Sequence, residues 1–198
     1  MSKFVGETGT VYSFEPQPFL ASILSSNLIE NDCTNGRVLT VALGDETGTV
    51  TVPDFDYFSH YNFGGISFSD DTKRFRKRRS IRVPKVKLDD VIAPNSLRLM
   101  KIDVEGMELS CLRGAERLIT KFKPFIYLEY DREKHAVDII NLLESWGYIC
   151  YLHKSRLYSE GNFKRNDNNI FGNTISRNLL CAPANINVIG LKRVTFKV

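Results

Sequence analysis

The sequence predicts an α/β protein with an open, mostly parallel sheet and helices on both faces. Runs rich in β-branched and aromatic residues alternate with segments of helical periodicity over residues 10–153. In residues 97–112, LRLMKIDVEGMELSCL, a short apolar run ends abruptly in two acids and a glycine, and helical spacing follows. A buried strand followed by a polar turn and a helix is typical of open α/β sheets, which bind ligands beyond the carboxyl ends of their strands.

The individual elements follow from local patterns. Residues 1–9 resemble the end of a helix and a turn, because Gly6 and Gly9 are stop signals. A strand is predicted before Pro16 because TVYSFE is rich in β-formers. The remaining expectations rest on the same rules: a helix at 18–31, a strand at 37–44, a hairpin at 44–53, a loop at 54–72, an extended segment at 83–88, a helix ending near Phe122, a strand at 124–131, a helix at 134–146, a strand at 148–153, irregular chain at 154–177, and a strand at 178–183.

Composition restricts the class of protein. The 198 residues are 42% hydrophobic and 25% charged, which predicts one globular domain, here placed at residues 1–183 with a tail at 184–198. No apolar run is long enough for a membrane helix, and the first residues lack the apolar core of a signal peptide. We therefore expect a cytoplasmic protein without a membrane partner. The four cysteines form no CxxC pair and are expected to be reduced.

The net charge of +4 is local. Residues 73–87, KRFRKRRSIRVPKVK, hold nine of the 27 basic residues and no acid, so the rest of the chain has 18 basic and 23 acidic residues, a net charge of −5. A solvated basic face is the simple interpretation. Contact with an anionic ligand or with nucleic acid is the functional alternative, although no other nucleic-acid motif accompanies the segment.

The acids around residue 103 are candidate functional groups. Asp103 and Glu105 lie two residues apart in the strand-to-helix turn, so both could face one crevice. Carboxylates at strand ends also commonly cap the next helix or pair with a lysine, and Lys101 is within reach for such a pair.

The chain contains four segments that occur in the order seen in FkbM-type methyltransferases. They are VYSFEP, the stretch from LDD to KIDVEGMELSCLRGA, KPFIYLEY and NLLCAP. The chain resembles that family over most of residues 6–183. The resemblance implies a Rossmann-like class I methyltransferase sheet and transfer of a methyl group from S-adenosylmethionine to a hydroxyl. A small molecule or a glycan would be the acceptor, and the resemblance predicts no oligomeric state.

The resemblance also implies roles for particular residues. Glu15 would bind the cofactor's ribose hydroxyls, although a solvated acid at a strand end is the simple alternative. Ala42 and Leu43 would line the adenine, and Asp103 would lie near cofactor and acceptor. Glu105 would assist Asp103. His60, in an aromatic loop with paired glycines, would act as a general base unless it is an ordinary surface histidine.

A divalent cation held by Glu105 and Glu129 is a further alternative, for which no metal motif argues. We therefore predict no metal-binding residues.

One family element is missing from the sequence. Relatives begin with a strand and a glycine-rich turn that bring the backbone close to the cofactor, whereas SKFVGETG resembles only the end of the following helix. The missing strand would be central, so its two neighbours should each have an unpaired edge. There are three explanations. The chain is a fragment of a longer protein, the strand is supplied from elsewhere, or the chain is a non-catalytic remnant or binding module of the same fold.

Overall fold

The computed structural model describes residues 1–57, 79–130 and 133–194, and for 133–135 it describes the backbone alone. The chain forms two compact units, one of Met1–Ala93 with Val104–Glu116 and one of Pro94–Asp103 with Arg117–Val198. The elements are β1 Val11–Phe14, α1 Pro18–Glu30, β2 Gly36–Leu39, β3 Ala42–Leu43, β4 Gly48–Pro53, β5 Ser80–Val86, α2 Leu88–Val91, β6 Leu99–Ile102, α3 Glu108–Arg113, α4 Glu116–Phe122, β7 Phe125–Glu129, α5 Glu133–Ser145, β8 Tyr148–Arg156, β9 Ile175–Pro183 and β10 Lys192–Arg193.

The first unit begins with turns rather than the end of a helix. Both the Phe4 and the Val5 N–H donate to the Met1 carbonyl, and the Asn35 side chain donates to the carbonyls of Ser2 and Gly6. β1 and β2 then pair in parallel, with α1 connecting them. Pro18 is tolerated at the start of α1 because the first N–H of a helix needs no intrahelical acceptor.

The strand predicted at 37–44 is two strands with different partners. β2 ends at Leu39, and Ala42 and Leu43 pair in parallel with Lys85 and Val86. The predicted hairpin is also wrong, because β4 pairs antiparallel with β5 instead of folding back on the preceding strand. Local β-propensity predicts extended chain, but it does not choose between partners that are distant in the sequence.

The helix predicted to end near Phe122 is interrupted. α3 ends at Arg113, and the Ala115 N–H donates to the Leu112 carbonyl, three residues back, before α4 begins. Gly114 lies at this break, where a Cβ atom would be 1.9 Å from the Gly44 carbonyl oxygen. The apolar spacing of this segment predicts one continuous helix, and the close approach of the Gly44 backbone at Gly114 accounts for the break.

The second unit contains a five-stranded mixed sheet in the order β10-β8-β9-β7-β6. β6 and β7 are parallel, whereas β9 runs antiparallel to β7 and β8. The sheet's buried side chains include Ile102, Ile126, Leu128, Leu179 and Cys181. The predicted irregular segment is shorter than expected, because β8 continues to Arg156 and β9 begins at Ile175.

The predicted α/β class is confirmed, but the expected mostly parallel sheet is not observed, because four of the seven pairings among the described strands are antiparallel. Among the described strands, β1 pairs with β2 alone and β6 pairs with β7 alone. None of the described helices has the length and the apolar character needed to cross a bilayer.

Candidate active site

Glu15 follows β1 directly and is held at the entrance to α1. Its Oε1 accepts a hydrogen bond of 2.8 Å from the Gln17 N–H, which fixes the carboxylate. Burial raises the pKa of Glu15, and the hydrogen bond from Gln17 opposes that rise. Among the described residues this is the one hydrogen bond that the Glu15 carboxylate accepts, so its second oxygen can accept from a ligand hydroxyl.

Aromatic side chains surround the same turn. Tyr57 donates a 3.1 Å hydrogen bond to the buried Gln17 side chain and stacks on Phe19 at 4.4 Å between ring centroids. Phe55 meets Tyr57 edge-on at 6.0 Å. Burial, followed by the charges of Asp54 and Glu15, raises the pKa of Tyr57. Sequence reasoning missed Gln17 and Tyr57, because their pairing across 40 residues leaves no local signal. The two prolines that flank Gln17 were the one local feature that marked this turn as unusual.

Ala42 and Leu43 form the short strand β3 in the same unit. Ala42 is buried, Leu43 is partly buried, and the next residue's N–H donates to the Val86 carbonyl at 3.0 Å. The following acid is fixed as well, because Asp45 accepts from the Ser110 hydroxyl at 2.7 Å. This hydrogen bond lowers the pKa of Asp45. The role of Ala42 and Leu43 beside an adenine stays a prediction.

Asp103 follows β6 in the second unit and forms an ion pair with Lys101. The sequence predicts this pairing as the alternative to a catalytic role, and the structure confirms the contact. Both side chains are exposed, so the pair contributes little to stability. The ion pair instead affects position, because Lys101 restrains the direction of the Asp103 carboxylate.

A second acid, Glu129, lies close to Asp103 in this unit. Their carboxylate oxygens are within 4.8 Å of each other, at the ends of the neighbouring parallel strands β6 and β7. Neighbouring acids on a protein surface are common without a metal ion, so the two carboxylates alone give no argument for one, and we propose none here.

Glu105 belongs to the first unit, in a turn of unusual backbone geometry. Its φ is 50° and that of Gly106 is 101°, so two successive residues are left-handed. The Glu108 carboxylate closes the turn by accepting from the Gly106 N–H at 2.9 Å. Whether Glu105 faces the same crevice as Asp103 stays a prediction.

The sheet of the second unit also presents polar groups that sequence reasoning missed. The Tyr127 hydroxyl and His153 Nδ1 are 2.8 Å apart, and Asn178 donates to the Ser176 hydroxyl at 2.9 Å. In the strand register Glu129, Asn178 and His153 form one row across β7, β9 and β8. These residues are distant in the sequence, and only strand pairing brings them together.

Two predicted features lie wholly or partly outside the described residues. His60 is one of them, so its role as a base stays a prediction. The basic segment is described from residue 79, where β5 contains its later part, and Lys85 pairs with Glu46 at 2.8 Å.

Comparison with known proteins identifies the family. The model of the methyltransferase FkbM domain matches residues 1–150. The fold is similar to the crystal structure of methyltransferase FkbM from Methylobacillus flagellatus KT, with a TM-score of 0.52 and 20% identity over 86% of this chain. The chain spans 36% of that protein's length. The comparison with curated proteins gives no match. The likeness confirms the predicted Rossmann-like fold class, and the family model shows that this chain belongs to the FkbM methyltransferase family.

Proposed function

We propose that this chain serves in methyl transfer from S-adenosylmethionine to a hydroxyl of a small-molecule or glycan acceptor. Membership of a methyltransferase family supports methyl transfer in general. The geometry of Glu15 is the observation that supports the cofactor. Its fixed carboxylate at the carboxyl end of β1 is suited to a pair of neighbouring hydroxyls such as those of a ribose.

In this proposal, residues of the first unit bind the adenosine part of the cofactor. Glu15 would accept from the ribose hydroxyls, and the apolar side chains of Ala42 and Leu43 would contact the adenine. S-adenosylmethionine supplies an electrophilic methyl group when bound, so the protein's task is to bind, orient and exclude water. Gln17 and Tyr57 hold the turn that contains Glu15 in place.

The acceptor side of the proposal rests on Asp103. Methyl transfer to a hydroxyl requires that the nucleophilic oxygen be aligned with the methyl group and lose its proton. Asp103, oriented by Lys101, would accept a hydrogen bond from the acceptor hydroxyl, and the nearby Glu129 could bind a second hydroxyl. Glu105 would assist, and His60 is retained as the candidate base. A cytoplasmic location stays a prediction.

The test is thermal unfolding of the whole chain with and without S-adenosylhomocysteine. A ligand at 100 times its dissociation constant should stabilise the fold by ~2.7 kcal/mol. We expect Glu15→Ala to remove this stabilisation and Glu30→Ala, an exposed acid at the end of α1, to retain it. An unchanged response of Glu15→Ala would refute the ribose assignment. A cooperative transition in the unmodified chain that ignores the ligand would favour the binding-module alternative.

A further inference from the structure

β8 and β9 extend past the end of β7 as a two-stranded ribbon, at the base of which the Tyr130 N–H donates to the Arg177 carbonyl. The last pair that β7 makes with β9 is Glu129 with Asn178. Beyond it, Lys154 pairs with Arg177, Ser155 with Ser176, and Arg156 with Ile175. We name residues 154–156 and 175–177 the ribbon, and residues 157–174 the tip loop.

One face of the ribbon concentrates positive charge. Lys154 and Arg177 are directly opposite each other, and strand alternation places Arg156 and Ile175 on that same face. All four side chains are exposed, and the ribbon contains no acid.

The tip loop is organised by asparagine side chains. Asn162 donates to the carbonyls of Ser159 and Asn166 and accepts from the Asn166 N–H at 3.0 Å. Asn169 donates to the Gly172 carbonyl and accepts from the Phe171 N–H. These amides satisfy backbone groups of the loop, as asparagine commonly does in turns. The loop therefore has a defined backbone that does not depend on burying its apolar side chains.

Those apolar side chains point into solvent instead. Phe163 is 101% exposed and Ile170 is 75% exposed, and Leu157 and Phe171 are each about half exposed, as is Ile175 of the ribbon. Five of the fifteen exposed large apolar side chains among the described residues thus fall within the 19 residues 157–175. Such a concentration indicates an interaction surface rather than ordinary surface composition.

We propose that the ribbon and the tip loop dock onto an anionic lipid surface. Residues 154–177 contain five basic and two acidic residues, a net charge of +3. Basic residues near an anionic leaflet each strengthen binding about fivefold, and exposed aromatic and aliphatic side chains insert at the acyl boundary. Nucleic acid could use the positive face and stack on Phe163, but it would leave the aliphatic side chains of Leu157, Ile170 and Ile175 exposed.

Docking of the ribbon and the tip loop on a lipid surface does not depend on the proposed methyl transfer. It departs from the sequence-based expectation of no membrane partner, because that expectation concerned segments that span the bilayer. Surface docking requires no such segment.

The test uses the whole chain and two kinds of vesicle, phosphatidylcholine alone and phosphatidylcholine mixed with phosphatidylserine. We expect co-sedimentation with the mixed vesicles, weakened by salt, and little with phosphatidylcholine. Lys154→Glu should weaken the binding about tenfold or more, because it loses one attraction and adds a repulsion. The same variant turns a like-charge pair into an opposite-charge pair, so its thermal stability should not fall.

Further variants separate the apolar contribution from the electrostatic one. Phe163→Ser combined with Ile170→Ser should weaken binding to the mixed vesicles, and Phe163→Trp should give a blue-shifted emission with those vesicles. Lys3→Glu combined with Lys121→Glu, which changes charge elsewhere, should bind as the unmodified chain does. Absence of binding to mixed vesicles at low salt would overturn the proposal. Binding that responds to charge but not to Phe163 and Ile170 would also overturn it, in favour of a general anionic polymer.

Discussion

The backbone at Gly114 lies against the carbonyl of Gly44, so closely that a Cβ at residue 114 would be 1.9 Å from the Gly44 oxygen. The contact connects the break between α3 and α4 to the turn after β3. Any side chain at 114 would force one of these segments to move.

Gly114→Ala should therefore destabilise the protein by about 1–3 kcal/mol, the usual cost of overpacking. Denaturant unfolding at neutral pH measures the effect. Gly48→Ala is the matched control, because nothing lies within 4 Å of a Cβ at that position. Equal stability of the two variants would show that the approach of residues 44 and 114 is not rigid.

Glu15→Gln should raise the melting temperature at pH 7. Burial raises the pKa of Glu15 in the folded state. The protonated carboxyl therefore adds stability to the folded protein. This stability is complete below the unfolded pKa of about 4.3 and is lost as pH rises through the folded pKa. The glutamine variant stays neutral and can still accept from the Gln17 N–H. Its advantage over the unmodified chain should therefore shrink as pH falls toward 4, which melting curves across pH 4–8 would reveal. An advantage independent of pH would contradict this origin.

Tyr148→Phe should cost about 1–3 kcal/mol, because it leaves a buried carbonyl without its donor. The Tyr148 hydroxyl donates to the Pro124 carbonyl at 2.9 Å, and burial raises the pKa of this tyrosine. Tyr158→Phe is the control, since that hydroxyl donates to the Asn166 carbonyl in an exposed part of the tip loop. Chemical denaturation should show a large difference between the two variants, and similar small losses would argue that water replaces the Tyr148 bond.

The folded protein should expose a single thiol to an alkylating reagent. Cys33 is partly buried, whereas Cys111, Cys150 and Cys181 are buried. Burial raises the pKa of Cys111 to about 12, and burial with a hydrogen bond involving Cys150 raises that of Cys181. Mass spectrometry should show one modified cysteine in native conditions and four after unfolding. Cys33→Ser should leave none reactive in the folded state, and rapid labelling of that variant would contradict the described core.

Much of the fold could be predicted because the relevant signals are local. The predicted helix at 18–31 and the predicted strand at 124–131 are observed with ends within two residues of those bounds. The break at Gly114 could not be predicted, since its cause is a carbonyl 70 residues away. For the candidate site, the sequence indicated Glu15 and the Lys101–Asp103 pair. The contacts of Glu15 with Gln17 and of Lys101 with Asp103 each join residues two positions apart in the chain.

The sequence by itself determined the alternation of strands and helices, the acids at strand ends and the family. Those properties depend on hydrophobic periodicity and on short motifs, which a linear chain displays directly. The tertiary structure alone decided which strands pair, and therefore that Lys154 faces Arg177, that Tyr127 meets His153 and that β3 joins β5. Pairing depends on the competition between distant partners for the same backbone hydrogen bonds, and that competition is settled only when the chain has folded.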